Sequence, residues 1–97
     1  MNLDSALLII ANTIWDKGET DFVAQGCLFP SSFVTNDKIN NYHLASDFLA
    51  DNMGYTHYSR KWDKKGKSVL LEFYCAEGFG AYDINELQFK EKYIVKI

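Results

Sequence analysis

The chain has 97 residues, of which 47% are hydrophobic and 24% are charged, and it contains a single proline. This length allows one domain with one modest core, and this apolar content excludes an intrinsically disordered chain. The net charge of −3 is spread unevenly, with −5 in residues 1–57, +4 in 58–71, −4 in 72–89 and +2 in 90–97. We therefore predict a single domain, residues 1–97, with an acidic body and one strongly basic segment.

The first apolar segment, Leu3–Ile14, is interrupted by polar residues and lacks the basic leader and cleavage site of a secretory signal. No other segment is long and apolar enough to predict a membrane span. Cys27 and Cys75 each lie in an apolar, strand-like run, so we expect buried thiols that stay reduced and react slowly. These features predict a cytoplasmic protein.

A helix is predicted from Leu3 onwards, with Asn2 as its N-cap. Its apolar residues recur at intervals of three and four, which is the spacing of one helical face. Ile9 is the exception, because it falls among the polar side chains. Gly18 is a natural C-terminal stop. The predicted apolar face consists of Leu3, Ala6, Leu7, Leu8, Ile10, Ala11, Ile14 and Trp15.

The next predicted element is a strand over Phe22–Phe29, which Pro30 ends. Gly26 within it indicates a bulge or a close approach of another backbone. Residues 31–39 are rich in turn-forming types and predict a loop with at most one helical turn.

A second helix is predicted over Asn41–Met53, with Gly54 as its stop. His43, Asp47 and Asp51 follow one another at intervals of four residues, so they form a ridge on its outer side. The opposite half, which we expect to face the core, consists of Tyr42, Leu44, Ala45, Phe48, Leu49 and Met53.

Residues 55–76 have the pattern of a central β-hairpin, in which two aromatic and β-branched runs flank a short polar segment. We expect Lys64–Gly66 to form a type I turn followed by a bulge, with Gly66 in the left-handed conformation. Asp63 and Lys67 then close the turn as an opposed pair.

This register assigns the two faces of the hairpin, because successive residues of a strand point to opposite sides. The face expected to join the core holds Tyr55, His57, Ser59, Lys61, Val69, Leu71, Phe73 and Cys75. The other face, aromatic with charge at its middle, holds Thr56, Tyr58, Arg60, Trp62, Ser68, Leu70, Glu72 and Tyr74.

After the hairpin, Asp83 and Glu86 resemble the capping box of a short helical turn. Apolar and polar residues alternate from Leu87 to Ile97, which predicts a closing strand. A helix that continues to about Glu91 is the competing interpretation. The predicted fold is therefore α+β, with two helices packed on a mostly antiparallel sheet of about four strands.

No motif for catalysis or metal binding is present. The cysteines and histidines are separated by 16, 14 and 18 residues, whereas structural zinc sites bring their ligands in close pairs. Asp47 and Asp51 point outward from one helix, whereas acid–base catalysis needs carboxylates that converge from different elements. We therefore expect no enzyme activity, no cofactor and no metal. The four residues considered as metal ligands or as a thiolate pair are Cys27, His43, His57 and Cys75.

Two surface features remain as candidate binding sites. In the first, here called the basic tip, cations alternate with aromatic residues near the hairpin turn. Cations neutralise phosphates and flat rings stack on bases, so this pattern is typical of proteins that hold single-stranded nucleic acid. The alternative is that the charges only keep the tip soluble and that a helix covers the rings. The basic tip consists of Tyr58, Arg60, Lys61, Trp62, Lys64, Lys65 and Lys67.

The second feature, here called the acidic set, is a series of carboxylates with an aromatic residue among them. Carboxylates spaced along a surface can imitate a phosphate backbone and occupy the nucleic-acid groove of another protein. The alternative is a mildly acidic surface without such a role. The acidic set consists of Asp47, Asp51, Glu72, Glu77, Phe79, Asp83 and Glu86.

A short, acidic, aromatic-rich chain without catalytic motifs resembles the small phage-encoded inhibitors of bacterial defence, the anti-CRISPR proteins among them. The resemblance lies in size and composition, and it transfers no residue to this chain. It implies stoichiometric blocking of a nuclease, or of the complex that recognises target DNA, in the cytoplasm of a bacterial host.

Our leading hypothesis is a non-enzymatic protein that binds and inhibits a larger protein or ribonucleoprotein partner. In this hypothesis the acidic set acts as a mimic of nucleic acid. The alternative is a small nucleic-acid-binding module that uses the basic tip. An enzyme is the third hypothesis, held only because catalytic sites can lack short-range motifs.

Overall fold

The computed structural model of the protein describes residues 1–16, 24–27, 39–78 and 82–97, with the backbone alone described for 24–27. Two helices pack with an antiparallel sheet, so the predicted α+β class is confirmed. A single 3-10 turn, Ile84–Glu86, precedes the last strand. The helices are α1 (Leu3–Asp16) and α2 (Ile39–Met53), and the strands are β1 (Ala24–Cys27), β2 (His57–Asp63), β3 (Ser68–Cys75) and β4 (Gln88–Lys96).

Helix α1 begins at the predicted cap, where the Ser5 N–H donates to Asn2 Oδ1 over 2.8 Å. Its buried face is rotated from the predicted one. Leu8, which we predicted to face the core, is 46% exposed, whereas Ile9 is partly buried against the core. Thr13 also lies on this face. Its hydroxyl donates to the Ile9 carbonyl over 2.8 Å, and this hydrogen bond offsets the free-energy cost of burying the hydroxyl.

Helix α2 begins two residues before the predicted start and ends where predicted. Gly54 has a φ of 74°, and its N–H donates to the Ala50 carbonyl over 3.2 Å, as in a left-handed C-terminal cap. Leu44, predicted to face the core, is instead 58% exposed. Leu44 lies about 100° around the helix from the fully buried Ala45, and this angle places Leu44 outside the face that contacts the core.

The hairpin turn differs from the predicted one. Strands β2 and β3 pair antiparallel with Asp63 opposite Ser68, so the predicted pairing of Asp63 with Lys67 is wrong by one residue. Lys67, with a φ of 51°, takes the left-handed conformation that we predicted for Gly66. The Gly66 N–H donates to Asp63 Oδ1 over 2.9 Å, and this side-chain acceptor closes a four-residue turn, Lys64–Lys67.

The shift of one residue moves every side chain of β2 to the other face. Tyr58 and Trp62, predicted to lie on the outer face, are only 1% and 2% exposed and belong to the core. His57, Ser59 and Lys61 lie on the face away from the helices, here called the open face because no described helix packs on it, although His57 and Ser59 are themselves buried. The pairs that share the core face are Tyr58 with Phe73, Arg60 with Leu71 and Trp62 with Val69.

Strand β4 confirms the strand interpretation of the C-terminal segment over the helical one. It contains one extra residue, because Glu91 lies opposite Phe73 while Phe89 lies opposite Tyr74. Lys90 is therefore the unmatched residue of a β-bulge.

The strands are hydrogen-bonded in the order β1-β2-β3-β4. Gly26 of β1 pairs with Tyr58 in an uninterrupted register, so the bulge predicted at Gly26 is not found. The helix stop predicted at Gly18, the remaining ends of the Phe22–Phe29 strand, the loop predicted over 31–38 and Phe79 lie outside the described residues. In the part of the chain that is described, no helix is long and apolar enough to span a membrane.

Candidate functional site

The acidic ridge on α2 is presented by a helix whose opposite side is anchored in the core. Tyr42, Ala45 and Leu49 are fully buried, which fixes the orientation of the helix. Asp47 and Asp51 are both exposed on the outer side, as their helical spacing predicts. Carboxylates one turn apart on an anchored helix are separated by about 6 Å along its axis, and they present a rigid pair of negative charges.

Glu72 does not join this ridge. It lies on the open face of β3, whereas α2 packs on the other face of the sheet. Its cross-strand neighbours are Ser59 on one side and Lys92 on the other. A cation directly opposite partly compensates the charge of Glu72, so this residue contributes less to an acidic surface than the sequence indicates.

The remaining acids lie in the connection between β3 and β4. Glu77, Asp83 and Glu86 are all exposed, and the predicted short helical turn forms, with the Glu86 N–H donating to the Asp83 carbonyl over 2.8 Å. This connection lies at the end of the sheet where β3 ends and β2 begins. Helix α2 leads to the same end, so Asp51 and these three acids share one end of the molecule.

The rings of the basic tip are not available for stacking. Tyr58 and Trp62 lie in the core, and Tyr58 shares a hydrogen bond of 2.8 Å with the hydroxyl of Tyr42. Arg60 Nη1 donates to the same Tyr58 hydroxyl over 2.8 Å. Bases could reach these rings only if the helices separated from the sheet, and the aromatic part of the predicted nucleic-acid site is therefore lost.

The cations of the basic tip are divided between two environments. Lys61, Lys65 and Lys67 are exposed, whereas the ammonium group of Lys64 lies 4.3 Å from the ring centre of Trp15 in α1. This cation–π contact ties the tip to the first helix. A phosphate backbone could therefore contact only a small group of solvated lysines, because the rings of the basic tip are not exposed for bases to stack on.

The surroundings of His57 are those of a buried side chain that contributes to the packing of the fold. It is 2% exposed, its Nδ1 shares a hydrogen bond of 2.8 Å with Thr56 Oγ1, and its ring packs edge-on against Tyr82 at 5.3 Å. Thr56 Oγ1 also accepts the Ala76 N–H over 2.8 Å. These contacts join the start of β2 to the end of β3, so the predicted packing of His57 beside Phe73 on the core face is wrong.

Cys75 is a free thiol that is only partly buried, which corrects the expectation of a buried one. It is the last residue of β3, and its Sγ donates to Gln88 Oε1 over 3.5 Å. The side chain of Cys27 lies outside the description. Among the described residues, no group of three or more histidines, cysteines and carboxylates is placed to hold a metal ion.

Leu8 and Ile94 are among the exposed apolar residues that the sequence interpretation missed. Ile94 is 69% exposed at the outer strand of the sheet. Ile94 is not one of the apolar positions whose alternation predicted the closing strand, and the order of the strands places it on an edge with which no other described strand pairs. Comparisons of the chain with protein-family models, with curated proteins and with solved structures give no match.

Proposed function

We propose that this protein is a non-enzymatic binding protein that inhibits a larger protein or ribonucleoprotein partner by occupying its nucleic-acid-binding site. The observation that carries the proposal is the pair of exposed carboxylates, Asp47 and Asp51, on a helix held by fully buried residues. A rigid row of negative charge can replace a phosphate backbone in a basic groove with little loss of conformational freedom.

The surface is extended by the three acids of the β3–β4 connection. Glu77, Asp83 and Glu86 are exposed at the end of the sheet to which α2 leads. Glu72 belongs to the open face and is left outside the proposed contact. The chain carries no base between residues 72 and 89, so this end of the molecule attracts cationic partners.

The first experiment identifies the partner. The tagged protein is incubated with nuclease-treated lysate of its own host cells, and captured proteins are identified by mass spectrometry. The purified partner is then titrated with labelled DNA or RNA in the presence of increasing amounts of this protein. We expect stoichiometric displacement of the nucleic acid.

The second experiment assigns the surface. Asp47→Lys combined with Asp51→Lys changes exposed side chains, so the unfolding free energy should change by no more than about 0.5 kcal/mol per site. A desolvated carboxylate that faces a lysine or arginine contributes about 2 kcal/mol or more, which corresponds to about a thirty-fold change in affinity. The double variant should therefore melt cooperatively and lose displacement.

Asp51→Lys alone should already weaken displacement. Glu91→Lys is its matched control, because Glu91 is also an exposed acid but lies on strand β4. It should retain displacement. Full inhibition by the folded double variant would refute the acidic contact. Recovery of nucleic acid without any protein, from lysate not treated with nuclease, would instead favour a nucleic-acid-binding module that uses the exposed lysines of the basic tip.

A further inference from the structure

Strand β4 forms an outer edge of the sheet, and part of its backbone is directed away from it. The Ile97 N–H donates to the Lys67 carbonyl over 2.8 Å, so the backbone groups of Ile97 face β3. Because these groups alternate along an antiparallel strand, those of Lys92, Ile94 and Lys96 face outward. Within the described residues, no strand pairs with this side of β4.

A groove of about 560 Å³ runs along this edge, between β4 and α1. Asp4, Leu7 and Leu8 of α1 form one wall, and Val95 with the neighbouring residues of β4 forms the other. Since Lys92 and Lys96 outnumber Asp4, the lining as a whole carries one net positive charge. Leu8 is 46% exposed and Ile94 is 69% exposed. The Lys92 N–H donates to Glu91 Oε1 over 3.0 Å and would have to exchange this acceptor for one in an added strand. Outward-facing backbone groups beside apolar side chains are the arrangement to which an extended peptide adds as a further strand.

Charge along the edge favours one type of occupant. Lys92 and Lys96 flank Ile94, all three side chains lie on the open face, and residues 90–97 carry a net charge of +2. A second copy of β4 centred on Ile94 would place Lys92 of each copy opposite Lys96 of the other. Like charges directly opposite each other destabilise a strand pair, so an acidic strand fits this edge and another copy of β4 does not.

We propose that the groove binds an extended segment of a partner protein, which pairs antiparallel with β4 as an additional strand. The segment has the pattern acidic-apolar-apolar-apolar-acidic. Its two acidic residues lie opposite Lys92 and Lys96, and its central apolar residue lies opposite Ile94. The two residues between them point to the other side, towards Leu7 and Leu8 of α1. This inference concerns a surface separate from α2 and does not rest on the proposed inhibition.

The probe is a synthetic peptide with the sequence Ser-Glu-Val-Ile-Val-Glu-Ser, acetylated and amidated at its ends. Its affinity is measured by calorimetry, and the contacted backbone is identified by NMR titration of the full chain. The amide signals of Lys92, Ile94 and Lys96 should shift most. Replacing both glutamates with lysine should weaken binding about tenfold or more, because two attractive cross-strand pairs become repulsive.

Methylation of single peptide nitrogens separates strand addition from other modes of binding. The central isoleucine exchanges hydrogen bonds with Ile94, so methylation of its nitrogen should abolish binding. The nitrogens of the two valines point away from β4, so the same methyl group there should change the affinity less than about threefold. Equal effects of the two modifications would overturn the proposal.

Variants of the protein give the matching test. Leu8→Ser and Ile94→Ser each remove an exposed apolar side chain from the groove, and each should weaken peptide binding about tenfold. Leu44→Ser is the control, since Leu44 is comparably exposed on α2, outside the groove. Loss of binding in Leu44→Ser to the same degree would overturn the proposal. So would dimers in sedimentation equilibrium that Ile94→Ser dissociates, because they would identify a second copy as the occupant.

Discussion

Phe73 is the centre of a cluster of aromatic rings in the core. It is fully buried, its ring stacks on Tyr55 at 4.7 Å and on Tyr58 at 6.1 Å, and it meets Tyr93 edge-on at 5.9 Å. Three parts of the chain therefore contact this ring: the connection between α2 and β2 through Tyr55, β2 through Tyr58, and β4 through Tyr93. Loss of this ring leaves a cavity that the rigid neighbouring rings cannot fill.

Phe73→Ala should lower the unfolding free energy by about 3–5 kcal/mol, a large part of the roughly 5–15 kcal/mol typical of a domain. Phe89→Ala is the matched control, because Phe89 is 50% exposed on the open face and should cost far less. Denaturant unfolding of both variants measures the difference. An unchanged midpoint for Phe73→Ala would contradict the packing described above.

Tyr55 makes the stability of the protein sensitive to alkaline pH. Burial raises the pKa of its phenol well above the ordinary value, and the hydrogen bond to the Tyr93 hydroxyl and the charges of Tyr93 and Glu91 add to this. The Tyr55 and Tyr93 hydroxyls are 2.9 Å apart. The folded state therefore retains the Tyr55 proton after the unfolded chain has lost it.

The sign of the effect follows from this order of proton loss. The contribution of Tyr55 is fully present below about pH 10, the ordinary tyrosine pKa, and is lost as the pH rises towards the higher folded pKa. The unfolding free energy should thus fall above about pH 10. The decline should be shallower in Tyr55→Phe than in Tyr74→Phe, which changes a partly exposed residue on the open face. Equal slopes in the two variants would refute the assignment.

At the scale of the elements, sequence patterns predicted the helices and the closing strand but not their orientation in detail. The cap at Asn2, the stop at Gly54 and the alternation in β4 are local signals, and local signals persist in the structure. The hairpin register is not local in this sense. Asp63 accepts the Gly66 N–H, which lengthens the turn to four residues and exchanges the two faces of β2.

The end of α2 offers a test of one such local signal. Gly54 has a φ of 74°, and a Cβ added there would meet no atom within 4 Å. Gly54→Ala should therefore cost only the strain of the left-handed conformation, about 1–2 kcal/mol. Gly54→Asn should cost less, because asparagine tolerates this conformation. Thermal unfolding compares the two, and equal destabilisation would indicate a steric rather than a conformational cause.

At the scale of the whole molecule, the sequence revealed the uneven charge but not its distribution over the surface. The acids of α2 and of the β3–β4 connection share one end of the molecule, whereas Glu72 lies on the open face beside Lys92. Because the hairpin register differs by one residue from the predicted one, Tyr58 and Trp62 of the basic tip lie in the core. Sheet order, which no short-range pattern specifies, also determines that Ile94 lies on an edge with which no other described strand pairs.

The contacts of α1 also constrain the order in which the protein can fold during synthesis. Helix α1 packs against β3 and β4, and its Trp15 is covered by Lys64 of the hairpin turn. Helix α1 therefore has no complete binding surface until the strand at residues 88–96 has also emerged from the ribosome. Helix α2 can contact α1 as soon as it has been synthesised, but the contacts of α1 with β4 are long-range and form slowly, so completion of the core must follow synthesis of β4.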